Sequence, residues 1–414
     1  MHHRDRPDRT TSGSAAFAAS SSAQPTSHGS ADRGEMHIME TLSSDLSTQP
    51  PAQLTNALAT NALQRVLTAP TGVGTAAARA PGLPTPVPPY LERQWGDGSA
   101  PPLYCPAPER IDEALAEEVE QRLAAWALDV GFSPDEIDHL RAVGFGRLMM
   151  LTHTQSDDPD LLLLAAQLNT GWWAADDYYA DDTALGAVSE LLSPRLALAM
   201  AAMDPLPPAG EFTPPLEHAL QSDLVLRALG SSVDHLHRHA APAQVQRVCY
   251  STFSMFVAWT AYATWRHTGD LPAAWEYLGA RQHDSFYTSM TLIDVVGGYE
   301  LPANLFYEPR VRRAAIRAGT AAVLVNDLMS VAKDAADEVP VCNMVLLIAA
   351  EQNCSIERAT EITVDLHNRI VRDFQAGHDE LRAIPSPELQ LFLHGLRAWM
   401  GGGFEWHNTN PRYH

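Results

Sequence analysis

From Arg110 to the end of the chain, apolar residues recur at helical spacing and almost nowhere at strand spacing. Ile111, Leu115, Val119, Leu123 and Trp126 repeat at close to four residues and make one apolar stripe. Gly131 is placed to end that helix. Ser133-Pro134-Asp135-Glu136 is placed to start the next, with Ser as cap, Pro at the first helical position and Glu three after the cap. Further apolar runs of helical length follow near 160–179, 185–203, 216–237, 242–267, 272–296, 309–336, 341–351, 356–383 and 388–400, punctuated by Pro and Gly. No segment shows convincing period-2 alternation bounded by hairpin turns, and no internal repeat points to a solenoid. The pattern predicts an all-α fold, a single domain of about ten or eleven helices over residues 110–414.

Several of these helices are apolar nearly all round, which predicts burial. Residues 160–179 carry Leu161 to Leu164, Trp172 and Trp173, and residues 258–265 carry Trp259, Tyr262 and Trp265. Buried helices that end in carboxylates suggest an apolar cavity with an acidic mouth.

The segment before Arg110 reads differently. Residues 1–50 are rich in Ser, Thr, Ala, His and Asp and poor in large apolar side chains, so disorder is expected. A short helix is expected over 53–67. Prolines dominate 69–108, which reads as an extended arm largely without helix. Residues 1–109 are therefore a disordered, Pro-rich N-terminal segment in this reading, a plain tail more than a cap over a site.

A formal charge of −22 excludes nucleic acid as the natural partner, because a phosphate backbone calls for a basic surface. It does not exclude a diphosphate, since a bound divalent cation reverses the local sign. The four cysteines, Cys105, Cys249, Cys342 and Cys354, include no CxxC pair, which disfavours structural zinc. With no signal peptide and no long apolar run, a cytoplasmic protein without a membrane span is expected.

Two polar stretches stand out against this apolar background. In the run 314–336, Asn326, Ser330 and Asp334 fall at i, i+4 and i+8 and share one helix face. An amide, a hydroxyl and a carboxylate are hard oxygen donors, suited to Mg²⁺ rather than zinc or copper. Taken alone, such a stripe is more often the solvated face of a surface helix. Lys333, the only lysine of the chain, lies within it. The second stretch, Asp176-Asp177-Tyr178-Tyr179-Ala180-Asp181-Asp182, piles carboxylates at a helix C-terminus, where the dipole makes them unfavourable. Something must offset that charge. On an α-helix Asp177 and Asp181 are one turn apart, so a shared cation would serve; a solvated acidic helix end is the plainer alternative.

This pair of motifs resembles the bacterial class I terpene cyclases. That family's first motif is an aspartate-rich DDxxx(D/E)-type segment, matched by Asp176, Asp177 and Asp181 or Asp182. Its second is Asn or Asp, then Ser or Thr four on, then Glu four further. Asn326 and Ser330 match, and Asp334 stands one methylene short of the usual Glu. The resemblance makes Arg281 the diphosphate-sensing arginine, Asp284 and Ser285 the linker and effector after it, and Arg412-Tyr413 the C-terminal Arg-Tyr pair. It implies a class I terpenoid synthase helical bundle with an active-site cavity, a small-molecule prenyl diphosphate substrate, Mg²⁺ as three ions, and a homodimer. The segments 70–79, 145–153 and 281–287 are similar to a subfamily that cyclises 2-methylgeranyl diphosphate, a C11 precursor, to a bicyclic tertiary alcohol with capture of water.

Under that resemblance, Asp176, Asp177, Asp181, Asn326, Ser330 and Asp334 would clamp the metal. Arg281, Lys333 and Arg412 would add charge-assisted bonds to the diphosphate, and Tyr413 a hydroxyl donor. Phe145, Trp172, Tyr178, Trp259 and Trp265 are candidate faces for a carbocation, each with ordinary core packing as the alternative. Other cyclases acting on geranyl or farnesyl diphosphate remain open. So does a chain-elongating prenyltransferase, although that class carries two aspartate-rich clusters.

Overall fold

The structure is a computed structural model, and it describes residues 87–181, 187–336 and 342–411. The expectations for residues 1–86 lie outside it, as do Asp182, Arg412, Tyr413 and the side chain of Asp181.

The described residues form an antiparallel hairpin followed by helices. Strand β1 (Tyr90–Arg93) pairs with β2 (Leu103–Pro106), with Tyr90 opposite Pro106. The helices are α1 (Glu113–Val130), α2 (Pro134–Val143), α3 (Phe145–Thr152), α4 (Pro159–Ala175), α5 (Ser189–Met203), α6 (Thr213–Ser222), α7 (Leu224–His239) and α8 (Pro242–Thr268). Then come α9 (Ala274–Arg281), α10 (Tyr287–Met290), α11 (Ile293–Val296), α12 (Ala303–Phe306), α13 (Pro309–Ala335), α14 (Met344–Gln352), α15 (Ile356–Leu381) and α16 (Pro387–Thr409). Helix α4 sits at the centre, packed by α1, α3 and α7, and α13 packs on α15 and α16.

Helix signals in the sequence act as expected. Gly131 closes α1 at φ 110°, and Ser133 and Glu136 form the reciprocal capping box of α2. Ile111 is the exception to its stripe: Asp112 caps the helix through the Leu115 N–H, so Ile111 lies outside it and is 56% exposed. The run 216–237 divides at Asp223, whose carboxylate accepts from Val225 and Leu226 N–H and restarts the chain as α7. The run 272–296 divides into α9, α10 and α11, a break that proves central to the site.

The hairpin was not expected. Its inward members, Leu103 and Cys105, alternate over too few residues, among prolines, to read as a strand. Tyr104 N–H donates to Asn368 of α15 at 2.7 Å, and Arg93 pairs with Glu405 of α16 while its guanidinium lies 4.1 Å above the Phe404 ring. The clip therefore ties α15 to α16, and packing begins before Arg110. Among the described residues, α13 alone is long and apolar enough by composition to cross a membrane, but 67% of its most apolar window is buried inside the fold.

Contact between α1 and α3 requires Gly146, where a Cβ would meet Ala116 O at 2.8 Å. Its N–H donates to Glu120 Oε2 at 2.6 Å. Burial outweighs that bond and raises the Glu120 carboxyl from the usual 4.5 to about 7. A carboxyl raised on folding holds its proton more tightly in the native state, so it favours folding below pH ~4.5 and loses that contribution as pH rises through 7. Glu120→Gln is expected to match wild type near pH 4.5 and to exceed it at pH 8 by up to about 3 kcal/mol in denaturant unfolding. A wild type that is the more stable at pH 8 would overturn this reading.

Candidate active site

One cavity of about 350 Å³ gathers most of the residues singled out from sequence. Phe145, Trp172, Asp176, Trp259, Arg281, Asp284, Ser285, Asn326, Ser330, Lys333 and Asp334 all line it. The stripe on α13 is thus a cavity face, half-buried at Asn326, Ser330 and Asp334 and exposed only toward Lys333.

Helix α4 does not end in α-form. Asp176–Asp181 is a π-helical turn, with hydrogen bonds closing five residues apart instead of four. The expected stacking of Asp177 over Asp181 is drawn for α geometry, and the Asp181 side chain lies outside the described residues. Asp176 faces the cavity; Asp177 is half-buried and is not part of its lining. The turn is held from both sides: Tyr178 donates its hydroxyl to Glu136 at the start of α2, and Tyr179 donates to Asp223 Oδ1 at 2.7 Å. Arg266 donates to Ala180 O at 2.7 Å, so a guanidinium supplies part of the charge that a carboxylate-rich helix end needs.

Two aromatic expectations are corrected. Tyr178 is spent on Glu136 and does not line the cavity. Trp265 also lies off the cavity, packed with Tyr262 at 5.8 Å between ring centroids in a separate apolar cluster. Trp259 keeps its place because its indole N–H donates to Asp284 Oδ1 at 2.9 Å. Trp173, 6.3 Å from Phe145 edge-on, joins the wall.

Arg281 is the electrostatic centre. It donates to Asp284 Oδ2 at 2.6 Å, to Asp327 Oδ1 at 2.8 Å and to Asn326 Oδ1 at 3.0 Å. Burial works against its charge, but Asp327, Tyr277 and Asp284 together outweigh it and hold the guanidinium well above its usual pKa. Burial likewise pushes the Asp327 carboxyl up, opposed by Arg281, the Met344 N–H and the Tyr277 hydroxyl. The break between α9 and α10 carries Asp284 and Ser285 into the cavity. Its close approach to α13 requires Gly319, where a Cβ would meet Tyr287 N at 2.7 Å and Ser285 Oγ at 2.8 Å.

Two positioning residues had no sequence signal. Asn343 donates to Asp334 Oδ2 at 2.8 Å and to the Asp327 carbonyl at 2.8 Å, while Ser330 Oγ donates to that same Asp334 oxygen at 2.6 Å. These bonds fix the short Asp334 arm against its own helix. His407 is buried, and burial lowers it to about 4, so the ring is neutral near pH 7. Its Nδ1 lies 2.7 Å from the Gly403 carbonyl and must donate there. Nε2 is then the acceptor for the Asn326 amide nitrogen at 3.3 Å. That leaves Asn326 Oδ1 turned to the Arg281 side.

Among the described residues, no three His, Cys, Asp or Glu side chains form a metal cluster. The donors are instead a mixed oxygen set, Asn326, Ser330 and Asp334 on one wall and Asp176 on another, which suits a hard divalent cation and not zinc.

Residues 167–373 match the family model for terpene synthase family 2, C-terminal metal binding. A 2-methylisoborneol synthase of Streptomyces ambofaciens is 36% identical over 363 residues, which span 84% of this chain and 81% of that one. The 2-methylisoborneol synthase of Streptomyces griseus is 36% identical over 84% of this chain and 79% of its own. The crystal structure of 2-methylisoborneol synthase from Streptomyces coelicolor A3(2), in complex with Mg²⁺ and 2-fluoroneryl diphosphate, superimposes with a TM-score of 0.73 at 34% identity, covering 77% of this chain and 98% of that chain. The chain belongs to the terpene synthase family, and it is an enzyme of the terpene cyclase class.

Proposed function

We propose that this enzyme cyclises 2-methylgeranyl diphosphate to 2-methylisoborneol, releasing diphosphate and capturing one water, with Mg²⁺ as three ions. The observation that carries the reading is the cavity itself. Hard oxygen donors from the π turn after α4 and from α13 converge with Arg281 and Lys333 on an otherwise aromatic chamber. Its volume of about 350 Å³ falls at the small end for ligand pockets, which supports a short prenyl chain. The similarity to the Streptomyces synthases supports the C11 substrate.

In this reading Asp176, Asn326, Ser330 and Asp334 would hold Mg²⁺ from the cavity wall, with Asp177 and Asp181 of the same acidic stretch as further proposed ligands. Bound there, Mg²⁺ supplies Lewis-acid pull on the departing diphosphate oxygens. Arg281 donates charge-assisted bonds to the same leaving group, with Lys333, Arg412 and Tyr413 as further donors. Asp284 and Asp327 keep the Arg281 fork in one orientation. Trp172, Trp259 and Phe145 present faces to the allylic cation, each worth about 0.5–2 kcal/mol where water is excluded. Residues 110–414 form the catalytic body, with the hairpin as its clip.

Chain elongation is the competing chemistry, and incubation with geranyl and isopentenyl diphosphates tests it. A cyclic product with free diphosphate, dependent on Mg²⁺, supports the proposal. A longer linear diphosphate would overturn it.

A further inference from the structure

Part of the cavity lining is polar and takes no part in the proposed binding of diphosphate. Thr288 and Ser289, on α10, both line the cavity and are 1% and 5% exposed. Among the described residues the Thr288 hydroxyl has no hydrogen-bond partner, and neither has the Trp172 indole N–H. Ser289 donates its proton to Asn169 Oδ1 at 2.6 Å, and Asn169 Nδ2 is bound to the Ala165 carbonyl at 2.9 Å. The Ser289 oxygen therefore keeps acceptor capacity and no proton to give elsewhere. Asn169 stands seven residues before Asp176 on α4, about 10 Å down the helix axis from the acidic end. Trp172 lies one turn from Asn169 on the same helix.

A buried hydroxyl left unpaired costs about 1–3 kcal/mol. Polar groups so placed are ordinarily bridged by water, which needs two to four partners. Thr288 offers both a donor and an acceptor, Ser289 an acceptor and Trp172 a donor, so the complement for one water is present. We propose that Thr288, Ser289 and Trp172 form a niche that holds the water captured by the carbocation, and that Thr288 decides between alcohol and alkene products. The inference rests on the cyclisation reading above. In the step, a lone pair of the held water forms the new C–O bond at the cationic carbon. The resulting oxonium passes its proton to the released diphosphate, which leaves as hydrogen diphosphate. Without that water, the cation sheds a proton from the adjacent carbon to the same diphosphate and yields an alkene.

The test compares wild type, Thr288→Val and Thr288→Ser on 2-methylgeranyl diphosphate with Mg²⁺ in ¹⁸O-labelled water. The readout is the alcohol-to-alkene ratio by gas chromatography with mass detection. Val matches Thr in shape and breaks no side-chain hydrogen bond among the described residues. Thr288→Val is expected to lower the ratio about tenfold, the equivalent of one hydrogen bond. Thr288→Ser restores the hydroxyl and should return the ratio to near wild type, with label in the alcohol. An unchanged ratio in Thr288→Val overturns the niche; if that variant does not fold, Thr288→Ala is read the same way. A wild type giving only alkenes from geranyl, 2-methylgeranyl and farnesyl diphosphates overturns the alcohol product and the niche together. Wild-type alcohol with an insensitive ratio overturns the niche alone.

Discussion

Asn326→Leu is expected to lower kcat/KM by at least about 10²–10³-fold, the magnitude associated with losing one preorganised electrostatic partner, while the protein stays folded. The carboxamide has two bonded ends. Oδ1 accepts from Arg281 and the amide nitrogen meets His407 Nε2. Leu removes the proposed ligand oxygen and leaves Arg281 with its bonds to Asp327 and Asp284. His407 loses its donor, at a cost of about 1–3 kcal/mol, partly offset by the apolar side chain at a half-buried position. Steady-state kinetics and a melting curve on the same preparation separate the two effects. Turnover near wild type would remove Asn326 from the ligand set.

Arg281→Met carries a second large effect, on stability as well as turnover. Asp327 has a side-chain exposure of 2%, and Arg281 is its ion-pair partner. Removing one member of a buried pair costs about 3–5 kcal/mol, because the other charge is left uncompensated. Turnover should fall as well, since the same guanidinium is the proposed diphosphate contact. The double variant Arg281→Met/Asp327→Asn separates the roles. Asn keeps an acceptor for the Tyr277 hydroxyl and the Met344 N–H but carries no charge. Denaturant unfolding should show much of the lost stability restored in the double variant, with turnover still reduced. If both recover together, Arg281 is structural only.

The helical body and half of the site were legible because helical periodicity is a local property. Asn326, Ser330 and Asp334 recur every four residues on a regular helix, so their shared face follows from sequence alone. The acidic stretch shows where that logic stops. A π turn replaces the α-helical register over Asp176–Asp181, and no residue in it announces the change. Tyr178 and Trp265 sit beside cavity residues in sequence, but their side chains turn to Glu136 and Tyr262 instead. Arg266, Asn343 and His407 reach the site from three different helical regions and belong to no spaced motif. Their roles are tertiary and emerge only from packing. Likewise the break after Arg281 depends on Gly319, far along the chain on α13.

The most direct test of the proposed activity is parallel incubation of the full-length enzyme with geranyl, 2-methylgeranyl and farnesyl diphosphates, with and without Mg²⁺, read by gas chromatography and by diphosphate release. The account predicts that 2-methylgeranyl diphosphate is the best substrate, that it yields a bicyclic C11 tertiary alcohol, and that release ceases without Mg²⁺. A dominant C15 product, or diphosphate release no greater than a blank without enzyme, would contradict it.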